Sequence, residues 1–340
     1  MFSKIIRLGL ALSGALILSS CGGSSGQTLT QSSTPEGLFI STTGTPGKVP
    51  TVTFTNAVSG VTPPVSCAQN MLVFVEYSGA FYSFAFTEAG TDTANPIAPD
   101  NLVSASSGTF SYSGGTVSAG NVIEVTPPNV INAFLSGSPT TPNPASPHGV
   151  DCGIQISSSV DVFNGVAQVN NETTNPTFVG GYDTGINLAG TFTYPLEIDA
   201  SDDFKSTFFN INYDTDYQSV QSLATLAGTY TGTVSTSQFS QSATFNFGPA
   251  SVAANSGNVY GVGIVTGVGA NGCTYTGTVS PLYKGNGYSM SVTSGSSPCY
   301  LPDTQFTGLV YFRQSSGYLY SFAPNSARND GLIFSGSRNK

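Results

Sequence analysis

The side chains that could carry out chemistry are few, and they do not form a recognised catalytic arrangement. His148 is the only histidine and lies three residues before Asp151 in the segment "SPHGVDC". A Ser-His-Asp hydrolase would place a nucleophilic serine beside this pair, yet the sequence has no GxSxG motif. A single histidine between prolines, serines and glycine is typical of a solvated loop. The sequence therefore predicts a protein that is not an enzyme.

Two pairs of carboxylates could bind a cation. Asp202 and Asp203 are adjacent, and Asp214 and Asp216 lie in "NYDTDYQ". Calcium prefers such oxygen ligands, but neither segment matches an EF-hand loop, and aspartates in short turns commonly hydrogen-bond the backbone instead. The glycine-rich segment 261–269 contains neither a Walker lysine nor a GxGxxG motif, so it does not indicate nucleotide binding. We predict no metal site and no cofactor.

Four cysteines, Cys67, Cys152, Cys273 and Cys299, indicate disulfide bonds. No CxxC spacing occurs and only one histidine is present, so a structural zinc site is not indicated. Four cysteines allow three pairings. Nearest-neighbour pairing, Cys67–Cys152 and Cys273–Cys299, places one bridge in each half of the chain, and each bridge could contribute about 3–5 kcal/mol in the loop-entropy model.

The fifth cysteine follows an export signal. Lys4 and Arg7 precede an apolar run over residues 8–18 that is too short to span a bilayer. The segment "LSSC", ending at Cys21, resembles the lipobox of bacterial lipoproteins, although the resemblance covers residues 1–21 alone. It implies that residues 1–20 are a signal peptide. It also implies that Cys21 receives acyl chains such as palmitate and becomes a membrane anchor.

The residues after Cys21 bear on where the anchor resides. In Gram-negative lipoproteins, a glycine rather than an aspartate after the lipidated cysteine implies sorting to the outer membrane, and Gly22 fits that pattern. Residues 21–35 are rich in Gly, Ser, Thr and Gln, which predicts a flexible lipidated tether. We expect a protein anchored to the bacterial outer membrane, either at its periplasmic face or at the cell surface. That compartment is oxidising, which agrees with disulfide bonds.

The composition indicates an all-β protein. The chain has 40 glycines, 20 prolines, no tryptophan and only 8% charged residues. Thr, Tyr, Phe and Val favour strands, whereas Gly, Pro, Asn and Ser favour turns. An apolar content of 39% over 340 residues is sufficient for two hydrophobic cores. We therefore predict two antiparallel β-domains.

Strand spacing and charge both divide the chain. Eight strand-like segments follow one another between residues 228 and 336, the number found in a small closed barrel. Of the 18 acidic residues, only Asp303 and Asp330 come after residue 222. No dense basic patch occurs, so nucleic-acid binding is not expected. We predict an acidic N-terminal β-domain over residues 36–216, a linker or short helical turn over 217–225, and a C-terminal barrel over 226–340.

The sequence contains two repeated motifs, and the second of them connects the two halves. "TYTGTVS" occurs at 229–235 and again at 274–280, and "LVFVEYSGAFYSFA" (72–85) resembles "LVYFRQSSGYLYSFA" (309–323). Each member of the second pair reads as a hairpin that turns at Ser-Gly. Distant duplication would explain the match, and chance similarity among Ser/Thr/Tyr/Gly-rich strands is the alternative. "MLVFV" (71–75) is apolar on both faces, so we expect its outer face to be covered by another domain or a partner.

The function stays less well defined than the fold. Two β-domains behind a lipid anchor are similar in general plan to surface lipoproteins of the transferrin-binding type, but no receptor-binding residue carries over. The first hypothesis is a non-catalytic envelope protein with a binding, adhesion or structural role and a protein or glycan partner. The alternative is a carrier of a hydrophobic small ligand inside the barrel, although the usual lipocalin tryptophan is missing.

Overall fold

In a computed structural model, the chain is described over residues 36–40, 51–53, 66–87, 97–113, 116–128, 160–169, 177–179, 182–184, 187–195, 204–219, 221–252 and 261–340. Contacts divide the chain into Met1–Gln31 and Ser32–Lys340, and every described residue belongs to the second unit. The predicted signal peptide and most of the predicted tether lie outside the described residues, as do several residues considered above: Cys21, His148, Asp151, Cys152, Asp202 and Asp203.

The described residues are almost entirely β-strand, which confirms the all-β prediction. Short helical segments occur at Pro99–Asn101, Thr215–Gln218 and α1 (Leu223–Leu226). In this part of the chain we find no helix with the length and apolar character needed to cross a membrane. The strands are β1 (Gly37–Ile40), β2 (Thr51–Thr53), β3 (Ser66–Val75), β4 (Ala80–Thr87), β5 (Leu102–Ser113), β6 (Thr116–Val125), β7 (Val160–Val169), β8 (Thr177–Val179), β9 (Tyr182–Thr184), β10 (Asn187–Pro195), β11 (Phe204–Tyr213), β12 (Gly228–Ser235), β13 (Ser240–Val252), β14 (Val262–Gly269), β15 (Thr274–Pro281), β16 (Gly287–Ser294), β17 (Gln305–Arg313), β18 (Tyr318–Pro324) and β19 (Gly331–Arg338).

The first sheet contains nine antiparallel strands in the order β1-β11-β10-β7-β6-β5-β4-β3-β2. Its two ends also meet, because β1 and β2 each pair with β3 on one side and β11 on the other. The two short strands therefore share one position between β3 and β11, and the pairing forms a complete ring. Such closure leaves fewer unpaired backbone groups at sheet edges, which protects a sheet with few charged residues.

The C-terminal strands β12 to β19 form a closed antiparallel barrel of eight strands, as the sequence predicts. Each strand pairs with its neighbour in sequence, and β19 closes the barrel against β12. In β14 the burial alternates strictly, with Val265 inside the barrel and Ile264 and Thr266 outside. This period of two follows from the pleat of a strand that has one apolar and one solvated face.

The "TYTGTVS" repeat corresponds to β12 and β15, and both copies have the same environment. Tyr230 and Tyr275 are fully buried in the barrel. A Cβ atom at Gly232 would lie 2.0 Å from the carbonyl oxygen of Ser335, and one at Gly277 would lie equally close to the carbonyl of Ser291. The repeat is therefore a barrel-strand pattern, in which a large ring fills the interior and glycine permits close approach of the next strand.

The two matching hairpins, β3–β4 and β17–β18, pack against each other and join the first sheet to the barrel. Leu72 and Phe74 belong to one hydrophobic cluster with Leu309 and Tyr311, which lie on the outer face of the barrel. Alternate residues of β17, such as Val310, belong to the interior cluster instead. The segment 71–75, which is apolar on both faces, is thus covered by another part of the same chain. The sequence predicts a cover of this kind or a partner protein.

The barrel also contains the disulfide Cys273–Cys299, with an S–S distance of 2.06 Å and a sequence separation of 26. This is the pair expected in the C-terminal half. Cys67 lies in β3, but Cys152 is outside the described residues, so the bridge between them stays a prediction.

Candidate binding surface

The interior of the barrel is the site that a small-ligand carrier would use. Its described side chains are buried and pack ring against ring: Tyr230 has its centroid 5.5 Å from those of both Phe247 and Phe312. Phe245 packs in the same way on Phe334, at 4.5 Å, and on Tyr275, at 5.3 Å. Edge-to-face and tilted contacts at these distances are favourable packing for aromatic rings. The barrel axis is thus occupied by the protein's own side chains.

The lower end of the barrel, where β12 begins, is closed by Arg338. Its guanidinium lies over the rings of Phe312 (4.4 Å) and Tyr230 (5.3 Å). It donates hydrogen bonds to the Tyr230 hydroxyl and to the backbone carbonyls of Thr225 and Ala227. The Tyr230 hydroxyl in turn donates to the carbonyl of Leu226 at 2.7 Å. The guanidinium therefore fixes α1 and the segment that follows it across this end of the barrel.

At the upper end, a buried carboxylate joins two turns. Asp330 accepts hydrogen bonds from the backbone N–H and the hydroxyl of Ser237, at 3.0 and 2.6 Å, and from the backbone N–H of Gly331. The turn between β12 and β13 is thereby fixed to the turn between β18 and β19. The Cys273–Cys299 disulfide fixes the start of β15 to the loop before β17 on the same end. Side-chain contacts therefore connect separate segments at both ends of the barrel.

The buried tyrosines of the barrel are held as neutral donors and packing groups. Burial raises the pKa of Tyr230 to about 12, against an opposing effect of Arg338. Burial also raises the pKa of Tyr275 to about 12 and that of Tyr288 further. Tyr288 donates hydrogen bonds to the Gln221 side chain (2.8 Å) and to the carbonyl of Ser222 (3.0 Å). The Tyr230 and Tyr288 hydroxyls thus hold the segment that leads into the barrel, and the raised pKa of all three tyrosines keeps them protonated at neutral pH.

Asp214 and Asp216, the carboxylates predicted as a possible cation site, are instead part of a protein network. Asp216 accepts hydrogen bonds from the Tyr311 hydroxyl (2.8 Å) and the Asn286 amide (2.9 Å). Asp214 caps the helical turn Thr215–Gln218 and lies 3.4 Å from the Arg313 guanidinium. In the described ranges no group of three or more His, Cys, Asp or Glu side chains comes together in an arrangement that could hold a metal ion.

Arg328 lies in the turn between β18 and β19, at the upper end of the barrel, and joins the barrel to the first sheet. The Arg328 guanidinium donates to the backbone carbonyls of Ser107 (3.0 Å) and Asn121 (2.8 Å), and to the Ser107 hydroxyl. Ser107 and Asn121 lie where the β5–β6 ladder shifts register. Desolvation at this site lowers the pKa of Arg328 from its ordinary value. Its contacts place it in the structural interface and not in an open site.

The outer face of β13 to β16 is uncovered and uncharged, and we name it the hydroxyl face. Its cross-strand rows follow the register: Asn246 pairs with Thr266, which pairs with Thr276. All three side chains are exposed. None of the outward-facing side chains described on these strands carries a charge. The face consists of Ser242, Thr244, Asn246, Ile264, Thr266, Val268, Thr274, Thr276, Thr278, Ser289, Ser291 and Thr293.

The remaining outer face of the barrel differs sharply from the hydroxyl face. On β17 and β18 the outward residues Leu309, Tyr311, Tyr320 and Phe322 are completely buried against the first sheet. Ile264 and Val268, on the hydroxyl face, are 48% and 53% exposed. The barrel therefore packs the outer face of β17 and β18 against its own chain and leaves the hydroxyl face exposed.

In the described part of the chain three tyrosines outside these faces are exposed, and Lys284 connects two of them, because it follows Tyr283 in sequence and contacts Tyr77. Tyr77, in the turn between β3 and β4, is 60% exposed, and Tyr283, in the turn between β15 and β16, is 78% exposed. The Lys284 ammonium lies 4.8 Å from the centre of the Tyr77 ring and 2.9 Å from a carboxylate oxygen of Glu36. The third, Tyr300, is at the other end of the barrel, where its ring packs on Phe239.

Sequence reasoning did not single out the hydroxyl face, Arg338, or the pair Tyr77 and Tyr283. The alternation of Thr and Ser with apolar residues in 262–294 carries the signal for the face, because it predicts one polar side of each strand. Nothing local indicates that Tyr283 and Lys284 come close to Tyr77, since they lie more than 200 positions further along the chain. No known protein-family profile matches this chain, and no curated protein matches it in sequence.

Proposed function

We propose that this chain is a non-catalytic, lipid-anchored protein of the bacterial outer membrane that binds a neutral glycan through its hydroxyl face. The observation that carries the glycan assignment is the uncharged character of that face on the uncovered side of the barrel. Binding surfaces complement the potential of their partners, so a face without charge fits a partner without charge. Threonine and serine hydroxyls can pair with sugar hydroxyls, while Ile264 and Val268 offer apolar contact to the C–H faces of a sugar ring.

The glycan assignment is tested with a charge placed at the centre of the face. Thr276→Lys should weaken binding to an immobilised panel of neutral polysaccharides by about tenfold, equivalent to about 1.4 kcal/mol. Gln314→Lys is the matched control, because Gln314 is exposed in the turn after β17 and the charge change is the same. Equal weakening by both variants, or preference for acidic polysaccharides in the same panel, would contradict the assignment.

The anchor is tested separately. Cys21→Ser leaves no thiol to accept a lipid, so the variant should remain as an unlipidated precursor with a changed mass. Membrane fractionation and intact-mass measurement of the wild type and the variant provide the comparison. If the variant fractionates with membranes and has the same processed mass as the wild type, the lipoprotein assignment is wrong.

The carrier hypothesis has less support than binding at the outer face. The described interior residues pack on one another, and Arg338 and Asp330 fix the two ends of the barrel. A carrier should arrive loaded, so native mass spectrometry followed by lipid extraction separates the two hypotheses. A stoichiometric hydrophobic ligand inside the purified protein would favour the carrier.

A further inference from the structure

We propose that Tyr77, Tyr283 and Lys284 form a membrane-contacting patch that seats the folded protein on the lipid bilayer beside its own anchor. The inference rests on the lipid anchor in the proposed function, but it concerns a different surface from the hydroxyl face. Its occupant is the bilayer surface into which the Cys21 lipid inserts.

The first argument is where the anchored segment enters the fold. β1 begins at Gly37, which pairs with Val75 at the end of β3, immediately before the turn that carries Tyr77. Glu36, the first described residue, is bound to Lys284 at 2.9 Å. The chain from the anchor therefore enters the folded region directly beside the exposed tyrosines.

The second argument is the length of chain between the anchor and the patch. Glu36 lies 15 positions after Cys21 in the sequence. The composition of residues 22–35 predicts a flexible tether, and a Gly/Ser-rich chain of that length would have an r.m.s. end-to-end distance of about 20 Å. A tether of that reach would allow Glu36, and with it the patch, to meet the bilayer surface.

The third argument is the chemistry of the patch. Tyrosine is enriched at membrane interfaces because its ring is apolar and its hydroxyl remains hydrated. The Lys284 ammonium is held by the Glu36 carboxylate and lies over the Tyr77 ring, so it fixes the position of that ring at the surface. Glu36 and Glu76 are the carboxylates next to the patch, but Glu36 is buried and paired with Lys284, and burial raises the pKa of Glu76. The outermost groups are therefore the two aromatic rings.

The consequence is an orientation. Tyr283 lies at the lower end of the barrel, whereas Tyr300 lies in the loop between β16 and β17 at the upper end. With the lower end on the bilayer, the hydroxyl face on β13 to β16 stands roughly along the membrane normal and remains accessible. The two rings would add to the membrane attachment that the acyl chains on Cys21 provide.

The test uses the absence of tryptophan from the sequence. Tyr77→Trp, Tyr283→Trp and Tyr300→Trp each introduce a single fluorophore at an exposed ring, with unchanged melting as the check on folding. The full lipidated chain is placed in vesicles of phosphatidylethanolamine and phosphatidylglycerol whose acyl chains are brominated. We expect loss of fluorescence and a shift to shorter wavelength at positions 77 and 283, and neither change at position 300.

The proposal would be overturned if positions 77 and 283 show no quenching by the brominated lipids, or if position 300 is quenched equally. It would also be overturned if positions 77 and 283 are unquenched in the vesicles but are protected from quenching by aqueous iodide in whole cells. The last result would assign the patch to a protein partner. Intact mass at Cys21 is measured on the same samples. A lipidated protein with unquenched fluorophores contradicts only this inference, whereas an unlipidated Cys21 contradicts the proposed function itself.

Discussion

Phe74 and Tyr311 occupy corresponding positions in the two related hairpins, and their rings face each other with centroids 6.3 Å apart. Phe74 also contacts Tyr217, at 5.3 Å, and Tyr217 lies in the helical turn that leads towards the barrel. The segments that resemble each other in sequence are thus the segments that join the two β-structures. Their similarity follows in part from a shared requirement, because both strands must be apolar on both faces.

Phe74→Ala should destabilise the whole described unit. Phe74 is completely buried, and truncation of a buried phenylalanine costs about 3–5 kcal/mol through lost burial and a residual cavity. The free energy of unfolding is measured by urea denaturation. Tyr300→Ala, at a half-exposed ring, is the control and should change the stability by about 0.5 kcal/mol or less. A similar loss in both variants would mean that Phe74 does not contribute through the interface.

The isolated fragment 222–340 should associate with itself. Without the first sheet, the fragment exposes the outward side chains of β17 and β18, including Tyr311 and Phe322, which are completely buried in the full chain. An apolar patch of this kind promotes association. Size-exclusion chromatography and sedimentation report the oligomeric state. The double variant Tyr311→Ser/Phe322→Ser should restore a monomer with a cooperative melt, and a wild-type fragment that is already monomeric would contradict the expectation.

Arg338→Lys should destabilise the barrel by about 2–4 kcal/mol, because the planar guanidinium makes several charge-assisted hydrogen bonds that an ammonium cannot reproduce. The affected contacts are those to Tyr230, Thr225 and Ala227. Thermal unfolding followed by far-ultraviolet circular dichroism measures the effect. Lys340→Arg is the control for a conservative basic exchange nearby, since Lys340 is exposed. Equal stability of Arg338→Lys and wild type would show that the lower end is closed by other contacts.

Stability should fall steeply above pH 10. The pKa of Tyr230 and Tyr275 is about 12 in the folded protein, against about 10 in an unfolded chain. Between these values the unfolded state loses the phenolic proton while the folded state keeps it, so rising pH favours unfolding. Each such tyrosine costs about 1.4 kcal/mol per pH unit in this window.

The measurement is the urea midpoint as a function of pH, alongside the ultraviolet absorbance of tyrosinate. Tyr275→Phe removes one of these hydroxyls, so it should reduce the slope between pH 10 and pH 12. A stability that stays constant through that window, or a slope that Tyr275→Phe leaves unchanged, would show that burial does not hold these hydroxyls protonated.

The barrel was predictable from sequence because its signal is local. Segments such as 262–269 alternate apolar and polar residues, and turn residues separate the eight strands at even spacing. Closure of the first sheet was not predictable. β1 and β2 are only four and three residues long, and their partner β11 is more than 150 residues away. Short strands carry too little pattern to indicate their partners.

The candidate surfaces were harder to predict than the fold. Arg338 and Tyr230 are 108 residues apart, and neither position has a local pattern that indicates their contact. The sequence does indicate that 71–75 needs a cover on its outer face, but not that the related segment 309–323 supplies it. The roles of Asp214 and Asp216 could not be assigned from residue type alone, because their partners Asn286, Tyr311 and Arg313 come close only in the fold.

The pairing of β12 with β19 imposes an order on how the barrel forms. β12 is the first of the eight strands to be synthesised and β19 is the last, yet they are hydrogen-bonded neighbours from Tyr230↔Arg338 to Ser235↔Ile333. Until Arg338 has been added, β12 has an unpaired edge and the lower end lacks its guanidinium. A nascent chain therefore passes through a long interval as an open, nearly uncharged sheet, and this is the stage at which it most needs protection from association with other chains.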